Sequence, residues 1–163
     1  MSNVKNDVRN RWLKILFFIY IMILIKGIVF KFSLEEMQAI VNSWQKSVVW
    51  EGLMTANFEP FKTIKMYIRH YDLPGLRSFE NLFGNVIAFV PMGLFLPRVH
   101  KQSKNIFVFL LNVLFFVLGI EFFQLLSAFG TFDVDDIILN CLGAIIGRCI
   151  LVIYSQRERK LSS

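Results

Sequence analysis

The sequence predicts an all-α integral membrane protein: four transmembrane helices plus an amphipathic helix in the outer interface. Three observations predict it. Of 163 residues, 55% are hydrophobic and 18% charged, and mean hydropathy is +0.54, more apolar surface than one small water-soluble core can bury. Four stretches, residues 13–32, 81–97, 106–126 and 136–154, approach the roughly 20 mostly apolar residues that a spanning helix needs. Basic residues fall in alternate connections, which is the pattern that orients helices in a bilayer.

The first stretch follows Lys5, Arg9, Arg11 and Lys14, as a secretory leader would. Lys26, Gly27 and bulky residues stand where small cleavage-site residues would be, so a retained anchor is expected. The connection between the second and third spans carries Arg98, Lys101 and Lys104, and the segment after the fourth carries Arg157, Arg159 and Lys160. Residues 127–135 hold no Lys or Arg but two Asp. Both termini are therefore expected to be cytoplasmic, with residues 33–80 outside. The net charge of +6 is assigned to this topology and to contact with membrane lipid, not to nucleic acid. Cys141 and Cys149 are eight residues apart on one helix, roughly 12 Å along its axis, too far to form a disulfide.

In the outer segment, Ser33 with Glu36 matches a capping box. Leu34, Met37, Val41, Trp44 and Val48 then form one apolar stripe opposite Glu35, Gln38, Asn42 and Lys46. Such a helix either lies in the interface or packs on the spans. A short helix is expected after Pro60, with Phe61, Ile64 and Ile68 on one side and Lys62, Lys65 and Arg69 around it, ended by Pro74 and Gly75. There is no internal repeat, so residues 1–163 read as a single domain.

Polar residues within the apolar runs mark the candidate site, because each is expensive in hydrocarbon unless paired. They are Asn81, Asn85, Glu121, Gln124, Asp133, Asp135, Asp136 and Asn140. Asn81 and Asn85, Glu121 and Gln124, and Asp136 and Asn140 are three or four residues apart, so each pair shares a helix face. At the predicted depths the three faces can meet in a pocket open to the outside. Asn and Gln could equally bind helices together through interhelical hydrogen bonds. Glu121 is different, since a deep carboxylate needs a cation, a donor cluster or a raised pKa. Gly143 and Gly147 allow close helix approach, and Pro91 with Gly93 is expected to kink the second span. The three Asp with Asn140 and Glu121 could offer oxygens to a hard cation, but the spacing is no calcium loop. Asp135 or Asp136 is as readily a helix cap. The reading carried forward has no metal and no cofactor.

Four motifs in series resemble the VanZ-like family. They are Asn57-Phe58-Glu59-Pro60-Phe61-Lys62-Thr63-Ile64, Asn81-Leu82-Phe83-Gly84-Asn85 continuing to Gly93, Glu121-Phe122-Phe123-Gln124, and Phe132-Asp133-Val134-Asp135-Asp136 continuing to Gly143. Together they cover most of residues 57–150. Family members often show Asn-Leu-Ile-Pro-Phe in the first motif, where this chain has Glu59, and an Arg before Phe-Asp, where it has Thr131.

The resemblance implies a bacterial cell-envelope protein linked to teicoplanin-type glycopeptide resistance. Its outer pocket would bind a lipid-linked wall precursor, a lipoglycopeptide or another membrane protein through Asn81, Asn85, Gln124, Asp133, Asp135 and Asn140. The alternative is a membrane-embedded enzyme acting on a lipid or lipid-linked substrate, with Glu121 or Asp136 as general acid/base. Against it, the sequence carries no Gly-rich phosphate loop, nucleophile elbow or zinc spacing, and His70 and His100 lie outside the spans.

Overall fold

The computed structural model describes residues 2–28, 33–70 and 78–162. They fold into helices α1 (Ser2–Ile28), α2 (Leu34–Ser43), α3 (Lys46–Thr55), α4 (Lys62–Arg69), α5 (Ser78–Val99), α6 (Ile106–Ser127) and α7 (Val134–Ser162), with a 3₁₀ turn at Lys101–Lys104. Three helices are long and apolar enough to cross a membrane among the described residues, over Leu82–Val99, Ile106–Ser127 and Val134–Leu161. The expected first span runs along α1, but its last residues, 29–32, lie outside the described residues.

α5 and α7 form the tightest pair, and the reason is glycine. A Cβ added at Gly143 would run into the Val86 carbonyl, one at Gly147 into the Val90 carbonyl, and one at Gly93 into the Ala144 carbonyl. The backbones therefore touch where any side chain would hold them apart. α5 stays helical through Pro91 and Pro97. Pro91 has no N–H to donate, which loosens the hydrogen-bonding one turn back. In that turn the Tyr20 hydroxyl of α1 donates to the Ala88 carbonyl at 2.8 Å. Phe17, Tyr20 and Phe95 continue the α1–α5 contact with ring centroids about 6 Å apart.

α6 buries Phe109, Val113, Val117, Ile120, Glu121, Gln124 and Leu125, positions three and four apart that make one face. Its other faces are just as apolar: Phe107 is 74% and Phe115 71% exposed. A helix that is hydrophobic all round suits hydrocarbon rather than water. Asn105 caps its start, its Oδ1 accepting from Phe107 N at 2.8 Å. Ala128, in the left-handed region at φ 62, ends it.

Before α2, the capping box forms: Ser33 N donates to Glu36 Oε2 at 2.7 Å and Glu36 N to Ser33 Oγ at 3.3 Å. The Ser33 amide and hydroxyl hold the Glu36 carboxyl below its ordinary pKa. The single expected stripe is broken, because the chain turns extended at Trp44 and Gln45 and restarts as α3. The Trp44 indole donates to the Leu126 carbonyl at 2.9 Å, and a carbonyl in the last turn of α6 has no partner within its own helix. α3 packs beside the same turn, with Gly52 close to Leu125. The expected end of α4 at Pro74 and Gly75 lies outside the described residues, and the helix itself stops at Arg69.

Candidate functional site

Residues 57–70, the connection from α6 to α7 and the first turn of α7 meet in one polar junction. Asn57 organises it. Its N–H donates to Phe132 O at 2.9 Å and its carbonyl accepts from Val134 N at 3.0 Å, so one residue pairs with the α6–α7 connection as a strand would. Its side chain donates to Asp133 Oδ1 at 2.8 Å and Thr63 Oγ1 at 3.1 Å, and accepts from Glu59 N at 3.1 Å. Thr63 in turn donates its hydroxyl to Asp133 Oδ2 at 2.7 Å.

The carboxylates divide the work. Asp133 Oδ1 accepts from Asp135 N at 2.8 Å, which makes Asp133 the N-cap of α7. Asp135 is fully buried and turns toward α4, its Oδ1 accepting from Phe61 N and its Oδ2 from Ile64 N at 3.0 Å. It thus caps α4 from 71 residues away in sequence, a carboxylate at the positive end of that helix. Phe61 has φ 67, a left-handed conformation that costs an L-residue roughly 1–2 kcal/mol. Its N–H bond to Asp135 helps to hold it there. Asp136 accepts from Asn85 Nδ2 at 2.7 Å, joining α7 to α5.

Glu121 is 1% exposed, and its Oε2 accepts from Asp133 N at 3.1 Å. Gln124 is buried beside Gly130, where a Cβ would come within 2.9 Å of its Nε2. A side chain there would push the Gln124 amide out of its place. Asn140 is buried, and its Oδ1 has no hydrogen-bond partner.

Beside this junction, between α1, α4, α5 and the α6–α7 connection, lies a cleft of about 630 Å³. Thr63, Tyr67, Asn85, Gln124, Asp133 and Asp136 contribute polar groups to its lining, and Ile23, Leu24, Ile87, Ala88 and Pro91 apolar ones. Of the residues singled out in the sequence, Asn85, Gln124, Asp133 and Asp136 reach the cleft wall. Glu121, Asp135 and Asn140 are buried and do not line it. The side chain of Asn81 lies outside the described residues. No group of three His, Cys, Asp or Glu is placed to hold a metal ion among the described residues, and Asp135 commits both oxygens to amide donors.

Asn57, Thr63, Tyr67 and Tyr20 were not singled out as site residues. Asn57 stands in a loop, where no periodicity marks a polar residue, and Tyr20 reads as an apolar position of a span. Arg148 was also missed. It donates through Nη1 to Ser103 O at 2.6 Å and through Nη2 to Lys104 O, with its guanidinium 4.8 Å from the Phe109 ring centroid. It anchors the α5–α6 turn at the far end of the bundle. An Arg in an otherwise apolar helix was the available signal.

Among protein families, the VanZ/LLP1 model matches residues 17–155. Protein VanZ of Enterococcus faecium is 27% identical over 108 residues, 62% of this chain and 64% of that protein. The match thus spans under two thirds of that relative's length. No solved structure matches the chain.

Proposed function

Because the chain belongs to the VanZ/LLP1 family, we propose that it is a multi-pass protein of the bacterial cell membrane that lowers susceptibility to teicoplanin-type glycopeptides by binding an amphiphile in its cleft. The occupant is a lipid-linked wall precursor or the lipoglycopeptide itself. One observation carries this: the cleft is lined by both polar and apolar side chains, as a sugar or peptide joined to an acyl or prenyl chain requires. Asp133 and Asp136 face it with no Lys or Arg in the lining among the described residues. These carboxylates favour hydroxyl and amine donors over bare phosphate. Lys62 and Lys65 are exposed on α4, one and two residues from the lining Thr63, where they could meet a phosphate at the rim.

The proposed topology has α1 as a fourth span, with both termini cytoplasmic and α2 in the outer interface. Support for the span is the run from Ile15 to Ile25 between Lys14 and Lys26, with Phe18 and Ile23 each 65% exposed. For α2 it is an outward apolar face, with Leu34 80% and Val41 63% exposed. Catalysis is not part of the proposal: Glu121 is buried away from the cleft lining with its carboxylate accepting the Asp133 amide, and Asp136, which does line the cleft, accepts from Asn85 and joins α7 to α5.

The test is susceptibility in a sensitive host. The chain should raise the inhibitory concentration of teicoplanin, and Asp136→Ala with Asn85→Ala, at matched membrane levels, should return it to baseline. Full resistance in that double variant would contradict the proposal.

A further inference from the structure

At the other end of the same helices lies a second cleft, of about 770 Å³. We infer that it binds the phosphate headgroup of an anionic glycerophospholipid. Arg9 of α1, Arg98 of α5, Lys104 of the 3₁₀ turn, and Arg148 and Arg159 of α7 line it, and no carboxylate does among the described residues. The Tyr154 hydroxyl donates to Glu158 and lies within electrostatic reach of Arg98, but neither Tyr154 nor Glu158 is part of the wall.

Three features favour a lipid over a free anion. Apolar side chains complete the wall, Leu13 from α1 and Leu151 and Val152 from α7, so a phosphate held by the cations has a surface for its acyl chain beside it. Arg148 and Arg159 are eleven residues apart on one helix, roughly 16 Å, long enough to run from headgroup level into the acyl region. Arg148 is fixed in place by the Ser103 and Lys104 carbonyls and the Phe109 ring. All of these partners are neutral, so they position its charge without cancelling it. Basic pockets between spanning helices suit anionic headgroups for these reasons.

This site is separate from the cleft of the proposed function, which uses residues 20–27 of α1 and 84–91 of α5, and it can be tested without any antibiotic. The full chain, purified in a neutral detergent, is titrated with phosphatidylglycerol, phosphatidylcholine or inorganic phosphate while thermal unfolding is followed, because a ligand of the folded state raises the transition. A saturable upward shift is expected with phosphatidylglycerol and not with the other two. Arg98→Gln with Arg159→Gln should weaken the apparent affinity roughly fivefold per cation, about 25-fold in all. The charge-preserving pair Arg98→Lys with Arg159→Lys should retain most of it, which guards against a neutral pair that does not fold. Equal shifts with both lipids, an undiminished response in a folded neutral pair, or an equal shift with phosphate alone would overturn the inference.

Discussion

Asp133, Asp135 and Asp136 are three carboxylates within four residues, and each has a different set of donors: the loop and its own helix start for Asp133, the distant start of α4 for Asp135, and α5 for Asp136. Consequences differ accordingly. Asp135→Ala leaves the part-buried Phe61 and Ile64 amides without their acceptor and should cost about 1–3 kcal/mol. Asp135→Asn keeps one carbonyl oxygen and should cost less. Chemical unfolding of the purified variants measures both, with protease sensitivity near residues 61–70 showing whether α4 detaches. For Glu121, the amide oxygen of Gln can still accept from Asp133 N, so Glu121→Gln should fold and insert normally. Glu121→Leu, which cannot, should lose about 1–3 kcal/mol. A destabilised Glu121→Gln would mean that the charge itself holds the junction.

Among the elements, the α5–α7 contact is the least tolerant of change. A Val at Gly147 would drive its Cβ into the Val90 carbonyl, and backbone atoms cannot rotate away as a side chain would. Gly147→Val should therefore abolish a monodisperse species in detergent while Gly119→Ala, at a glycine with nothing within 4 Å, should not. Equal behaviour of the two on size exclusion would refute the backbone contact. Much of this was legible in sequence, because small residues at a four-residue spacing and polar pairs on one helix face are local, periodic signals. The break at Trp44 was not legible. The stripe continues through it in register, and the break coincides with a hydrogen bond to Leu126, a residue far along the chain. The pairing of Asn57 with Asp133 and the capping of α4 by Asp135 are likewise contacts over more than 70 residues, for which spacing within either segment gives no sign.

For the whole molecule, orientation is testable by cysteine labelling in a background with Cys141→Ala and Cys149→Ala. Ser47 and Gln102 are both exposed and suit the purpose, whereas Ser103 is buried. An impermeant reagent should reach a cysteine at Ser47 but not at Gln102 in intact cells, and the reverse pattern would invert the topology. The central claim, that the cleft receives an amphiphile, is tested most directly by filling it. Gly84 lines the cleft, and a Cβ there would meet nothing within 4 Å. Gly84→Leu should therefore occupy the space while keeping or raising stability, since Leu favours a helix over Gly by up to about 1 kcal/mol. The decisive measurement is equilibrium binding of a fluorescent teicoplanin and of a fluorescent lipid-linked disaccharide to wild type and Gly84→Leu in nanodiscs. The account predicts saturable binding of at least one probe by wild type and its loss in an equally stable Gly84→Leu. Unaltered binding by that variant, or no binding of either probe by wild type, would contradict it.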